Sequence, residues 1–212
     1  MLISTQKHFV FAANTKTAST SLEHVLLPYS DIVYDGNPEV KHMRLSAAQL
    51  KHPDLFESGD YFVFGVMRDP LEWIASWFRY RSGNKVQSPL PADMSFREFW
   101  QRKDWNILHP SGSGKYLQSN IFCDANGAVI ADVILPYSGL EAQFSDICDL
   151  LEIPYDLPRK NVSRKTGGKS IIPEDLRPEI RAFYEDDYAL LNRLDSLNAE
   201  GMNRLRRLRE KV

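Results

Sequence analysis

The stretch HFVFAANTKTASTSLEHVL, residues 8–26, decides the fold class. Its first six residues form an uninterrupted apolar and aromatic run of strand length, the pattern of a parallel strand buried on both faces. A polar stretch follows, and then Leu22, Val25 and Leu26 recur at the i, i+3, i+4 spacing of an amphipathic helix. The Ser and Thr residues ahead of that helix suit its start, where side-chain oxygens accept orphan N–H groups. The order is strand, loop, helix.

The same order returns twice. YFVFGV, residues 61–66, reads as a second buried strand. After it Asp69 is placed as an N-cap and Pro70 at the first helical position, with Leu71, Ile74, Ala75 and Phe78 on one helical face. AVIADVILPY, residues 128–137, reads as a third strand. Ser138 to Glu141 then fits a capping box, opening a helix that buries Leu140, Phe144, Ile147, Cys148 and Leu151. This alternation predicts an α/β class, a P-loop-like three-layer fold with a central parallel sheet flanked by helices. At 212 residues, a single domain over 1–212 is expected.

Residues 82–120 are rich in Ser, Gly and Pro but carry Phe96, Phe99, Trp100 and Trp105, a composition that predicts loops with a short helix forming a lid. Residues 152–173 read as loop. Beyond Pro178 one long helix is predicted from Ile180, Phe183, Tyr184, Leu191 and Leu194, ending in a basic tail, NRLRRLREKV, read as a solvated face.

With 26 basic and 28 acidic residues the chain has a formal charge of −2, which speaks against a nucleic-acid partner and makes any anion site local. The apolar run His8 to Ala13 is too brief for a membrane span and lacks the features of a signal peptide, so a cytoplasmic location is expected. Cys123 and Cys148 have no metal-ligand spacing, and Cys148 reads as a packed thiol; no metal is called for.

A loop between a buried strand and a helix N-terminus collects backbone N–H groups and the positive end of the helix dipole, which suits it to an anion. Lys16, Thr17, Ser19, Thr20 and Ser21 add one ammonium and four hydroxyls there. The loop is not a Walker A sequence, because its lysine comes early and it has no glycine. Gly168-Lys169-Ser170 imitates the end of a Walker motif, but Ser163 stands in place of the first glycine. Arg68 and Ser76 fall on the same sheet edge as Lys16, where open α/β sheets bind ligands. Taken singly, the loop could be a helix cap and Arg68 a partner for a carboxylate.

Together these stretches resemble the PAPS-dependent sulfotransferases, in the branch of the carbohydrate sulfotransferases and their small bacterial relatives. TKTASTSL at 15–22 is similar to the phosphosulfate loop P-K-T-x-x-T-S-L, and VMRDPLEWIASWF at 66–78 to the 3′-phosphate motif R-[DN]-P-x-x-x-x-x-S. KHMRLSAAQL at 41–50 is similar to the histidine segment between them, and LPYSGLEAQF at 135–144 and Leu157 to Ser163 are weaker echoes. The resemblance implies that Lys16, Thr17, Ser19, Thr20 and Ser21 hold the 5′-phosphosulfate of 3′-phosphoadenosine-5′-phosphosulfate (PAPS), and that Arg68 and Ser76 hold its 3′-phosphate. Arg164 and Lys165 resemble the R-K-G segment that clamps the same phosphate in cytosolic relatives. Lys16 would stabilise the leaving phosphate, and His42 would be the base for a carbohydrate or small-molecule hydroxyl, with Glu39 the rival.

The chain departs from the family pattern at Thr15 in place of proline, at Ala18-Ser19 in place of a glycine pair, and at Trp73 where many relatives carry arginine. His8 and His24 are expected to be structural, and His52 and His109 sit beside prolines in loops. Three other readings compete. A P-loop-like kinase needs a complete Walker A; a non-catalytic nucleotide-binding protein keeps Lys16 and Arg68 without a base; a structural protein binds no nucleotide.

Overall fold

The computed structural model describes residues 1–83, 89–103, 105, 116–155 and 171–210. Strands β1 (Leu2–Ser4), β2 (Phe9–Ala12), β3 (Ile32–Val33), β4 (Phe62–Met67) and β5 (Val133–Pro136) form one sheet in the order β3-β1-β2-β4-β5. The helices are α1 (Ser19–Leu26), α2 (Pro38–Lys41), α3 (Leu45–Lys51), α4 (Pro53–Glu57), α5 (Pro70–Arg81) and α6 (Phe96–Arg102), then α7 (Ser119–Phe122), α8 (Leu140–Leu150), α9 (Arg177–Phe183), α10 (Glu185–Leu191) and α11 (Leu194–Arg209).

The two uninterrupted apolar runs become the central strands, buried throughout and paired in parallel with Phe9 opposite Phe62 and Ala12 opposite Gly65. β5 adds to β4 in parallel, with Gly65 opposite Ile134. At the other edge the expectation of a parallel sheet fails: β1 pairs antiparallel with β2, and β3 antiparallel with β1. The physical reason is the connection, since β1 reaches β2 through a turn too short for the crossover a parallel pair needs.

Alternate residues of the sheet point to opposite faces. Phe9, Phe11, Phe62 and Phe64 pack with Leu22, Val25, Phe144, Ile147, Cys148 and Leu205, drawn from α1, α8 and α11. Val10, Ala12, Val63 and Ile134 pack on the other face with Leu45, Ala48, Phe122, Leu190 and Leu194. Helices therefore flank the sheet on both sides. A third, aromatic cluster joins α5, α6 and α9 through Trp73, Phe96, Phe99, Trp100 and Tyr184. The aromatics assigned to a lid, Phe96, Phe99, Trp100 and Trp105, are thus core residues.

Three further expectations are corrected. Residues 128–131 are not strand: Asp124 Oδ1 accepts the amides of Asn126 and Ala128, folding a tight turn before β5 begins. The capping box at Ser138 does not form; Tyr137–Gly139 make a 3-10 turn, and Gly139 is the N-cap of α8. The single long helix beyond Pro178 is three helices, broken at Tyr184 and at 192–193, where the chain turns as its apolar residues pass from the cluster of Ile180 and Tyr184 to that of Leu190 and Leu194; α11 then runs on to Leu205 in the remaining cluster.

The basic tail is not simply solvated. α11 crosses β5 at backbone contact, and a Cβ at Gly201 would collide with the Asp132 carbonyl. Arg204 donates to Asp132 Oδ2 (2.6 Å), Tyr61 O (2.9 Å) and Gly59 O (2.7 Å). Among the described residues no helix is long and apolar enough to cross a membrane.

Candidate active site

At the carboxyl end of β2 the chain enters the loop Asn14 to Ala18. Lys16 and Ala18 both adopt left-handed backbone, with φ of 59° and 61°. Such alternation turns successive N–H groups toward a concavity suited to an anion. Ala18 is itself the N-cap of α1 and offers no side-chain oxygen, so the loop does not exist merely to cap its helix. Thr17 Oγ1 donates to Asn14 O (3.0 Å), which commits its hydroxyl proton to the loop's own shape. Ser19 and Ser21 are buried at the head of α1, while Thr20 is exposed.

α5 starts sharply because Asp69 Oδ1 accepts the amides of Leu71 (2.9 Å) and Glu72 (3.1 Å) ahead of Pro70. Trp73, Ser76, Trp77 and Tyr80 then share one helical face. That face lies along the loop: Trp73 Nε1 donates to Thr15 O (2.8 Å), and Lys16 Nζ stands 3.9 Å from the centre of the Tyr80 ring and 6.0 Å from that of Trp77. Ser76, on the same helical face, is buried.

No carboxylate pairs with Lys16 among the described residues. Burial, and then the positive charge of Arg68, pull its pKa down to about 8. Arg68 follows β4 directly; its Nε meets Glu72 Oε2 at 3.2 Å and its guanidinium stacks over Tyr137, Cζ 4.2 Å from the ring centre. Arg68 thus lies near enough to Lys16 for its charge to oppose the ammonium, while Glu72, its own partner, is exposed.

His42 closes α2 beside the loop, its Nδ1 2.8 Å from Ala13 O. A carbonyl only accepts, so Nδ1 carries the proton and Nε2 keeps the lone pair. Burial holds the imidazolium pKa below its usual value. Lys41 ties this segment to α1 through Glu23 (2.7 Å). Glu39, in the first turn of α2, is exposed.

A family model described as the sulfotransferase family matches residues 1–192. The chain belongs to that family. No curated protein and no solved structure gives a significant match to this sulfotransferase. The matched span ends before α11, so the helix that braces β5 lies beyond it.

Of the remaining histidines in this sulfotransferase, His8 stacks on Tyr61 at 5.2 Å and His52 Nε2 bonds Tyr34 OH (2.7 Å), while His24 is exposed on α1. His109, the echo at 157–163, Arg164, Lys165 and the Walker-like Gly168-Lys169-Ser170 lie outside the described residues. Sequence reasoning missed Tyr116, which stacks on Trp73 (5.6 Å, 7° between planes) and lies 3.4 Å from Thr15 Oγ1. Trp73 and Thr15, departures from the family pattern, thereby brace one another. It also missed half-buried Arg44, which lies near Tyr116 and forms no ion pair with a described residue. Tyr116 and Arg44 carry no periodic signal, and only the fold gathers them.

Proposed function

We propose that this sulfotransferase moves a sulfuryl group from PAPS to the hydroxyl of a carbohydrate or small-molecule acceptor, as one cytoplasmic domain over residues 1–212. The observation that carries the reading is the nearness of Lys16 and Arg68, whose repulsion a nucleotide anionic at both ends relieves. Lys16, the backbone of Thr17 and its loop neighbours, and the hydroxyls of Ser19, Thr20 and Ser21 serve the 5′-phosphosulfate, the Thr17 hydroxyl proton being held by Asn14 O. Arg68 and Ser76 serve the 3′-phosphate.

The acceptor oxygen attacks sulfur in line with the bond from sulfur to the 5′-phosphate oxygen. As that bond breaks, its electron pair stays on the phosphate oxygen, where the Lys16 ammonium stabilises the growing charge. The acceptor proton passes to His42 Nε2, whose lone pair is kept available by the Nδ1 bond to Ala13 O. The products are a sulfate ester and adenosine 3′,5′-bisphosphate.

Adenosine 3′,5′-bisphosphate should raise the melting temperature well above the effect of AMP at equal concentration, since only the former engages Arg68 and Ser76. At ~100 times its dissociation constant the bisphosphate stabilises by about 2.7 kcal/mol, and each kcal/mol is worth about 2–4 °C in a chain of this size. Equal shifts with both nucleotides would remove Arg68 from the site.

A further inference from the structure

The two cations come from loops far apart in sequence, and both loops are tied to one buried side chain that the chemistry above does not use. Gln118 Nε2 donates to Arg68 O (2.8 Å), and its Oε1 accepts Arg68 N (3.1 Å), so a single amide grips both backbone groups of Arg68. The same Oε1 accepts from Asn14 Nδ2 (3.1 Å), at the entry to the Lys16 loop, and Asn14 Nδ2 also donates to Val66 O (3.1 Å). Both side chains are fully buried.

The pattern admits one orientation. Turning the Gln118 amide over would set NH₂ against two donors and oxygen against the Arg68 carbonyl; turning Asn14 over would set Oδ1 against two oxygens. Holding that orientation leaves Asn14 Oδ1 buried with no hydrogen-bond partner among the described residues, a cost that the geometry it secures would explain. Gln118 is fixed in turn: its own N–H donates to Asp187 Oδ2 (3.1 Å) and the next amide, Ser119, to Asp187 Oδ1 (2.8 Å).

We propose that Gln118 is a positioning residue, a clasp that sets the spacing between the Lys16 loop and Arg68 and thereby the preference for a nucleotide phosphorylated at both ends. The inference rests on the donor reading given above. A ligand gripped at two points gains from the second only if the two grips are held at its own span; loosening them lowers the effective concentration of the second contact.

The test is isothermal titration of adenosine 3′,5′-bisphosphate, AMP and adenosine 3′-monophosphate into the wild-type chain, Gln118→Leu and Asn14→Ala, with melting temperatures alongside. The clasp predicts that Gln118→Leu cuts the affinity advantage of the bisphosphate over either monophosphate at least tenfold, while monophosphate affinities move less than threefold. Asn14→Ala, which releases only the loop side, should shift the same ratio in the same direction and carries the test if Gln118→Leu does not fold. A lower melting temperature with an unchanged ratio overturns the clasp and makes Gln118 an ordinary core amide. A wild-type chain with no bisphosphate preference instead defeats the donor reading, and the clasp with it.

Discussion

Lys16 carries the most informative single charge in the molecule. Its pKa falls from 10.5 to about 8 because burial and Arg68 both oppose the ammonium. The folded chain therefore binds fewer protons than the unfolded one between those values, and this residue's contribution makes stability rise with pH across that window. A bisphosphate bound as proposed would restore the ammonium. At pH 8.5 binding should therefore take up a substantial fraction of a proton, measured by titration calorimetry in buffers of different ionisation enthalpy. The phosphates contribute little, since their second ionisation lies near 6. Lys16→Met should abolish the uptake; uptake that persists in Lys16→Met would place the proton elsewhere.

His42 titrates in the opposite range. Burial depresses its folded pKa, so the neutral ring that can accept a proton persists below the ordinary value of about 6.5. The acidic limb of kcat/KM should lie below that pH, and His42→Ala should lower turnover by roughly 10²–10⁴ and remove the limb while bisphosphate affinity holds. Near-normal turnover in that variant, with collapse in Glu39→Gln, would transfer the role to the carboxylate. The histidine segment was legible because Lys41-His42 falls between two motifs. The lock on Ala13 O was not, since it depends on where β2 ends.

At the scale of elements, a strand buried on both faces and a helix opened by Asp-Pro leave plain signals, and β2, β4 and α5 follow the reading closely. β1 and β3 gave none, being three and two residues long at an edge. AVIADVILPY misled because its first half is apolar for another purpose: Val129 and Ile130 pack outside the strand while Asp124 turns the chain. The cap of α5 matters to the site because it fixes the helix that carries Ser76 and Tyr80. Replacing Asp69 by Ala should cost about 1 kcal/mol, seen as a melting shift of about 2–4 °C, and Asp69→Asn should recover most of it. Full stability in Asp69→Ala would show that Pro70 and packing suffice to start the helix.

Across the whole molecule the near balance of charge gives no sign of an anion partner, and the anion reading rests instead on the local pattern around Lys16 and Arg68. What remained illegible was mainly long-range. Gln118 lies in a stretch without periodic signal, Asp187 lies in a periodic stretch whose spacing says nothing of its buried role, and α11 shows its role only where Gly201 meets Asp132. The central claim, sulfuryl transfer from PAPS with Lys16 as the stabiliser of the leaving phosphate, is tested most directly by mass spectrometry of a hydroxyl-acceptor panel incubated with isotope-labelled PAPS. The account predicts a labelled sulfate ester formed in step with adenosine 3′,5′-bisphosphate. It further predicts that Lys16→Ala lowers turnover by on the order of a hundredfold or more while weakening bisphosphate binding by less. Tight PAPS binding with no labelled ester from any sugar, phenol or alcohol, or full turnover in Lys16→Ala, would contradict it.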